Sequence, residues 1–255
     1  MQGMDRANQE KLIEQQMIMN QLQILRQTQQ IKQEREAQER FRRDEEARQE
    51  ESFQKKKDAD RQSLMNNPRG LYALGVDAVN RNQFSEAFGY MKASAEWGYP
   101  PAQLALGIMF EMGKGTHASD SEAFVWFKKS AANGDDFAQF KTGHFLLHGK
   151  GVTRDVDEAT VWLKKSAEQG QKNAQSVLAS LYYVGLGVKK NKTDAFKWAQ
   201  KGADQNVMLA QYTLGMLYLE GFPGHPKNKQ LAKGWFQKAA DQGDTGAAKQ
   251  LLAIK

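Results

Sequence analysis

His144 and His148 stand four residues apart, a spacing that turns two imidazoles to one face of a helix and offers part of a metal site. Phe145-Leu146-Leu147 lie between them, so the glutamate of a helical zinc hydrolase is absent, and no third ligand is identifiable. The other histidines, His117 and His225, fall in loop segments. Gly113-Lys114-Gly115-Thr116 places glycines beside Lys and Thr, but a phosphate loop needs Gly-x-x-x-x-Gly-Lys-Ser/Thr between a strand and a helix. Here the glycine pair recurs along the chain as a turn. No Ser-His-Asp set, paired carboxylates or nucleotide signature is present, and the chain has no cysteine for disulfides, thiolate chemistry or zinc. The expectation is a protein without catalytic residues, bound metal or cofactor, whose function lies on a surface.

The elements that would carry such a surface are set by a repeat. Ala-Gln occurs at Ala102-Gln103, Ala138-Gln139, Ala174-Gln175 and Ala210-Gln211, 36 residues apart, and Trp126, Trp162, Trp198 and Trp235 keep nearly the same step. Self-similarity at this period means stacked supersecondary units that bury a continuous core between neighbours. Each unit reads as helix, glycine loop, helix, glycine stop, with loop glycines at Gly113/Gly115, Gly149/Gly151, Gly185/Gly187 and Gly221/Gly224. Stops fall at Gly134, Gly170 and Gly243, with Asn206 as the one exception. Ser119, Asp155, Asn191 and Asn228 are capping types placed to start the second helices. The aromatic series Phe110, Tyr182 and Tyr218, with the four tryptophans, returns at repeat spacing and is read as core packing.

Residues 1–65 are different in kind. They hold 13 Lys/Arg, 13 Asp/Glu and 14 Gln, one Gly and no Pro or Trp, and cannot build a globular core. One long helix is expected, extending roughly 80 to 90 Å. Its apolar residues gather early, at Leu12, Ile13, Met17, Ile18, Met19, Leu22, Ile24, Leu25 and Ile31. Met17, Ile24 and Ile31 step by seven, and Ile18, Leu22 and Leu25 by four then three, which predicts self-association through a coiled coil. Residues 66–70, Asn-Asn-Pro-Arg-Gly, serve as linker, and 71–255 form the repeat domain. The net charge of +6 sits on the repeats, with the lysines read as interspersed, so no nucleic acid is expected. No apolar run reaches the length of a signal peptide or a membrane span. On the chain as given the expected location is cytoplasmic, or periplasmic or secreted if a leader was removed.

The third unit shows the pattern most fully, in Gly143, Gly149-Lys150-Gly151-Val152, Asp155, Ala159, Trp162, Lys164-Lys165-Ser166-Ala167 and Gly170. It resembles the Sel-one-like repeat (SLR) family, relatives of the tetratricopeptide repeats. The resemblance covers about residues 70 to 255, with four clear units and a divergent first one around Leu74-Gly75 and Glu86-Ala87-Phe88 that lacks the glycine loop. A capping helix follows Gly243. The family implies an all-α fold, a right-handed α-solenoid of about five helix-turn-helix repeats behind the long N-terminal helix, whose first helices line a concave groove. It also implies a protein-protein adaptor. The alternative is a bacterial envelope accessory binding carbohydrate or peptidoglycan-associated partners.

Columns that repeat are needed for stacking, and columns that vary are free to make contacts. On the first helices the varying columns run through Leu104, Ile108 and Glu111, then Phe140, His144 and Leu147, then Ser176, Ser180 and Tyr183, then Tyr212, Met216 and Leu219, with His148 at the edge. The expected site is a groove for a protein or peptide formed by Ile108, Phe140, His144, Leu147, His148, Ser176, Ser180, Tyr183, Tyr212, Met216 and Leu219. The expected oligomerisation residues are Met17, Ile18, Leu22, Ile24, Leu25 and Ile31.

Overall fold

The computed structural model describes residues 2–254, and among these the side chains of all but 2–10, Ile13 and Gln15; of the early apolar series, Ile13 therefore lies outside the described residues. The fold is all-α: a long N-terminal helix and a solenoid of consecutively packed helix pairs. The chain divides into two compact parts, Met1–Ser63 and Leu64–Lys255.

The first part is the helix α1 (Gln2–Met65), built almost wholly from good helix formers. Every described side chain on it is exposed. Pairs spaced four residues apart, Glu39 with Arg43, Arg42 with Glu46 and Glu51 with Lys55, line its charged half. The turn that follows is shorter than the 66–70 segment expected as linker. Asn67 accepts a hydrogen bond from the Gly70 amide at 2.7 Å and Pro68 opens the next helix, so residues 68–70 are already helical.

The second part holds α2 (Pro68–Asn80), α3 (Phe84–Glu96), α4 (Pro100–Met112), α5 (Asp120–Ala132), α6 (Asp136–His148), α7 (Val156–Glu168), α8 (Lys172–Val184), α9 (Lys192–Asp204), α10 (Met208–Glu220), α11 (Lys229–Asp241) and α12 (Thr245–Ala253). They pair as five hairpins, α2 with α3 through α10 with α11, each second helix also packing on the next first helix. The hairpins are the first to fifth repeats below. The four expected caps are made: Ser119, Asp155, Asn191 and Asn228 each accept a hydrogen bond from the amide three residues on.

The Ala-Gln pair has a physical reason. The alanines are fully buried, and the glutamines are buried side chains that tie three elements together. Gln139 donates to the Ala131 carbonyl at the end of the preceding helix and accepts from Gln169 at the end of its own hairpin, at 3.2 and 2.9 Å. Gln103 and Gln175 repeat the arrangement, with Asn133 and Gln205 as donors. A buried amide so satisfied carries little penalty and sets the register between repeats. Gly143 allows the two helices of its hairpin to approach: a Cβ there would lie 2.7 Å from Leu163 Cγ.

Candidate interaction surface

The varying columns of the first helices do not form one open wall. On α6, Phe140 and His144 lie 5.8 Å apart between ring centroids, and His144 and His148 4.5 Å. Phe140 and His144 are half-buried and His148 is exposed. Burial, then the neighbouring His148 and Lys141, holds the His144 pKa below the ordinary histidine value, so the ring favours its neutral form. Among the described residues no three His, Cys, Asp or Glu side chains come together to hold a metal.

Ser176 is a correction. It is 2 % exposed, its hydroxyl donates to the Asn173 carbonyl, and its backbone faces Gly202 of α9 across a close helix contact, so it offers no side chain to a partner. Tyr212, Met216 and Leu219 are half-buried against the C-terminal cluster of Ala232, Phe236, Ala239, Ala247 and Ile254. Ile108 likewise leans on the core of the first three repeats. Tyr183 donates to Glu220 of the next repeat at 2.5 Å, and Glu220 pairs with Lys192 at 2.7 Å. Burial and the Glu220 carboxylate push the Tyr183 hydroxyl far above the usual phenol pKa, fixing it as a donor. A comparable network joins Glu111 to Lys141 and Lys150 at 2.5 and 3.1 Å. Burial alone would raise the Glu111 pKa, and the two ammonium groups outweigh it and hold the carboxyl below its ordinary range.

Leu147, His148 and Ser180, by contrast, do line an open groove, together with Arg154, Val177, Leu181, Val184, Leu186 and Leu209. Its floor and walls are apolar and come from α6, α8, α10 and the loop after α8. Val184 and Leu186 stand 54 % and 40 % exposed on its rim. Neither belongs to the expected set, because the varying-column argument followed one face of the first helices while the rim is made by a helix end and a loop. The signal was present: Leu186 stands between Gly185 and Gly187 where the two preceding loops carry Lys114 and Lys150.

The profile of the Sel1 repeat matches residues 100–135, 136–171, 172–207 and 209–244, more than half of the chain. The chain belongs to the Sel1 repeat family. It is similar to the crystal structure of a Sel1 repeat protein from Oxalobacter formigenes, at 29% identity and a TM-score of 0.61, over 72% of this chain and 54% of that one. A protective antigen of uropathogenic Escherichia coli with an SLR fold matches at 27% identity and a TM-score of 0.40, over 73% and 56%. A Sel1 repeat protein from Klebsiella pneumoniae matches at 20% and 0.45, over 73% and 92%. The chain thus spans little more than half the length of the first two. None of the curated proteins matches it. Sel1 repeat proteins are generally scaffolds for protein interaction, and the repeat is typically a non-catalytic module.

Proposed function

We propose that this Sel1 repeat protein is a non-catalytic adaptor that holds an apolar segment of a partner protein in the groove between its third and fourth repeats, and that α1 joins copies of it. The carrying observation is the groove itself, where exposed Val184 and Leu186 meet Leu147, Val177 and Leu209 with His148 and Ser180 beside them. Apolar side chains gathered in a concave surface and rimmed by a few polar groups suit an apolar helix or peptide. Phe140 and Tyr183 pack against the core and Tyr183 ties α8 to Glu220 of α10, so they support the repeats that carry this surface. Joining several such grooves through α1 turns a second contact into an intramolecular one and raises the overall affinity without new contacts.

The test is capture of partners from native lysate by the full chain beside a Val184→Ser/Leu186→Ser variant. Both side chains are exposed, so the variant keeps its helical circular dichroism and melting curve. The expected result is loss of one or more partners that wild type retains. Equal recovery of every partner by both proteins would place the contact elsewhere.

A further inference from the structure

The positive charge of the repeats is not evenly spread, contrary to its appearance along the sequence. Residues 66–185 carry 12 basic and 12 acidic side chains, whereas residues 186–238 carry nine lysines and three carboxylates. The loops make the contrast sharper. From the second loop glycine into the second helix, residues 115–122 and 151–158 each sum to −2, whereas 187–194 and 224–231 each sum to +2. Successive loops meet along one edge: a Cβ at Gly151 would strike the Asp120 backbone at 2.3 Å, one at Gly187 the Val156 side chain at 2.7 Å, and Lys192 donates to the Gly221 carbonyl at 3.2 Å.

Each half of the edge pairs some of its charges and leaves others exposed. In the acidic half Asp120 pairs with Lys150 and Glu158 with Lys128. In the basic half Lys192 pairs with Glu220, but Lys189, Lys190 and Lys227 make no ion pair among the described residues and are exposed. Lys189, Lys190 and Lys192 line an open cleft with Tyr182, Val188 and Pro223. Lys192 and Lys229 also open α9 and α11, the end of a helix where a cation is least favoured, so this placement opposes local helix stability.

We propose that this basic edge binds an acidic stretch of the partner protein, a proposal that rests on the adaptor reading above and names the chemistry of the partner. The apolar groove and the basic cleft meet in one loop: Leu186 faces the first, and Val188, Lys189 and Lys190 the second. An apolar segment seated in the groove and continued by Asp or Glu residues therefore satisfies both. Two observations favour carboxylates over nucleic acid. No arginine occurs after Arg154, so the planar group that reads base edges and stacks on bases is missing. The nearby rings Phe222 and His225 stack on each other and Phe196 packs tilted against both, with centroids 4.3 to 5.1 Å apart, so these rings are engaged with one another.

The test titrates the purified full chain with a fluorescein-labelled oligoglutamate and, separately, a labelled single-stranded RNA of equal charge, at low and at physiological ionic strength. Oligoglutamate binding is expected to weaken with salt and to fall about tenfold in Lys189→Glu/Lys190→Glu/Lys227→Glu. Lys164→Glu/Lys165→Glu/Lys172→Glu, with the same change in net charge on other exposed lysines, is expected to bind nearly as wild type. Equal losses in both variants, no binding by wild type, or tighter binding of RNA than of oligoglutamate would each overturn the proposal. Val184→Ser/Leu186→Ser should bind oligoglutamate unchanged, so a failure of the groove and a failure of the edge are read in different experiments.

Discussion

Gly143 and Leu163 show how single residues set the distance between the helices of a hairpin. The same facing pair is Gly107 and Phe127 in the second repeat and Gly215 and Phe236 in the fifth, where a Cβ on glycine would lie 2.7 and 2.6 Å from the ring. In the fourth repeat both members change together, to Ala179 and Ala199, and both are fully buried. Glycine thus stands where the facing residue is Leu or Phe, and alanine is accommodated where the facing residue is itself alanine. Gly143→Ala alone should therefore destabilise by about 1–3 kcal/mol through overpacking, despite the better helix propensity of alanine. In a Leu163→Ala background the same change should cost less, because the contact with Leu163 is gone and only the Ala159 carbonyl, 2.9 Å from the added Cβ, still has to give way. Urea unfolding of the two single variants and the double one measures the coupling directly. Additive effects would mean that Gly143 is required for something other than room.

At the scale of the element, the apolar side chains of α1 at Met17, Ile18, Leu22, Ile24, Leu25 and Ile31 are all exposed. An isolated polar helix is only marginally stable in water, and on the proposal above a second copy covers these groups. The six residues fall on two stripes, Met17-Ile24-Ile31 and Ile18-Leu22-Leu25, about a third of a turn apart at 100° per residue. One stripe serves a single neighbour, and two serve neighbours on both sides. Sedimentation equilibrium of the full chain is expected to give a mass above twice 28.8 kDa, lowered by Ile24→Asp and by Leu22→Asp alike, and monomeric for residues 64–255. A mass unaffected by either substitution would remove α1 as the oligomerising element. How much was legible before the coordinates follows the range of the forces involved. Ser119, Asp155, Asn191 and Asn228 are readable as caps because one side-chain oxygen meets an amide three residues away. Ser176 is not readable as buried, because Gly202 on another helix decides it. The groove that Val184 and Leu186 rim is likewise assembled from three repeats, and periodicity within one helix carries no information about it.

For the solenoid as a whole, each repeat buries its hydrophobic face against its neighbours, so stability is a sum of local terms and the ends are its weak points. The hairpin of α10 and α11 is covered by α12, which Asp244 caps through the Ala247 amide at 2.8 Å. From it Ala247 and, just beyond, Ile254 join Phe236 in a cluster on which Tyr212, Met216 and Leu219 lean. Gly246 sits under the Tyr212 ring, where a Cβ would lie 3.3 Å from its edge. Removing residues 245–255 would uncover these side chains without touching the interfaces of the second and third repeats. Hydrogen exchange followed by mass spectrometry should then show α10 and α11 opening faster while α4 to α7 keep their protection, with the loss graded through α8 and α9. The groove between the third and fourth repeats borrows Leu209 from α10, so partner capture should weaken in the same variant although no groove residue has changed. Uniform acceleration of exchange in every repeat would instead mean that the array unfolds as one cooperative block, and that α12 stabilises all of it.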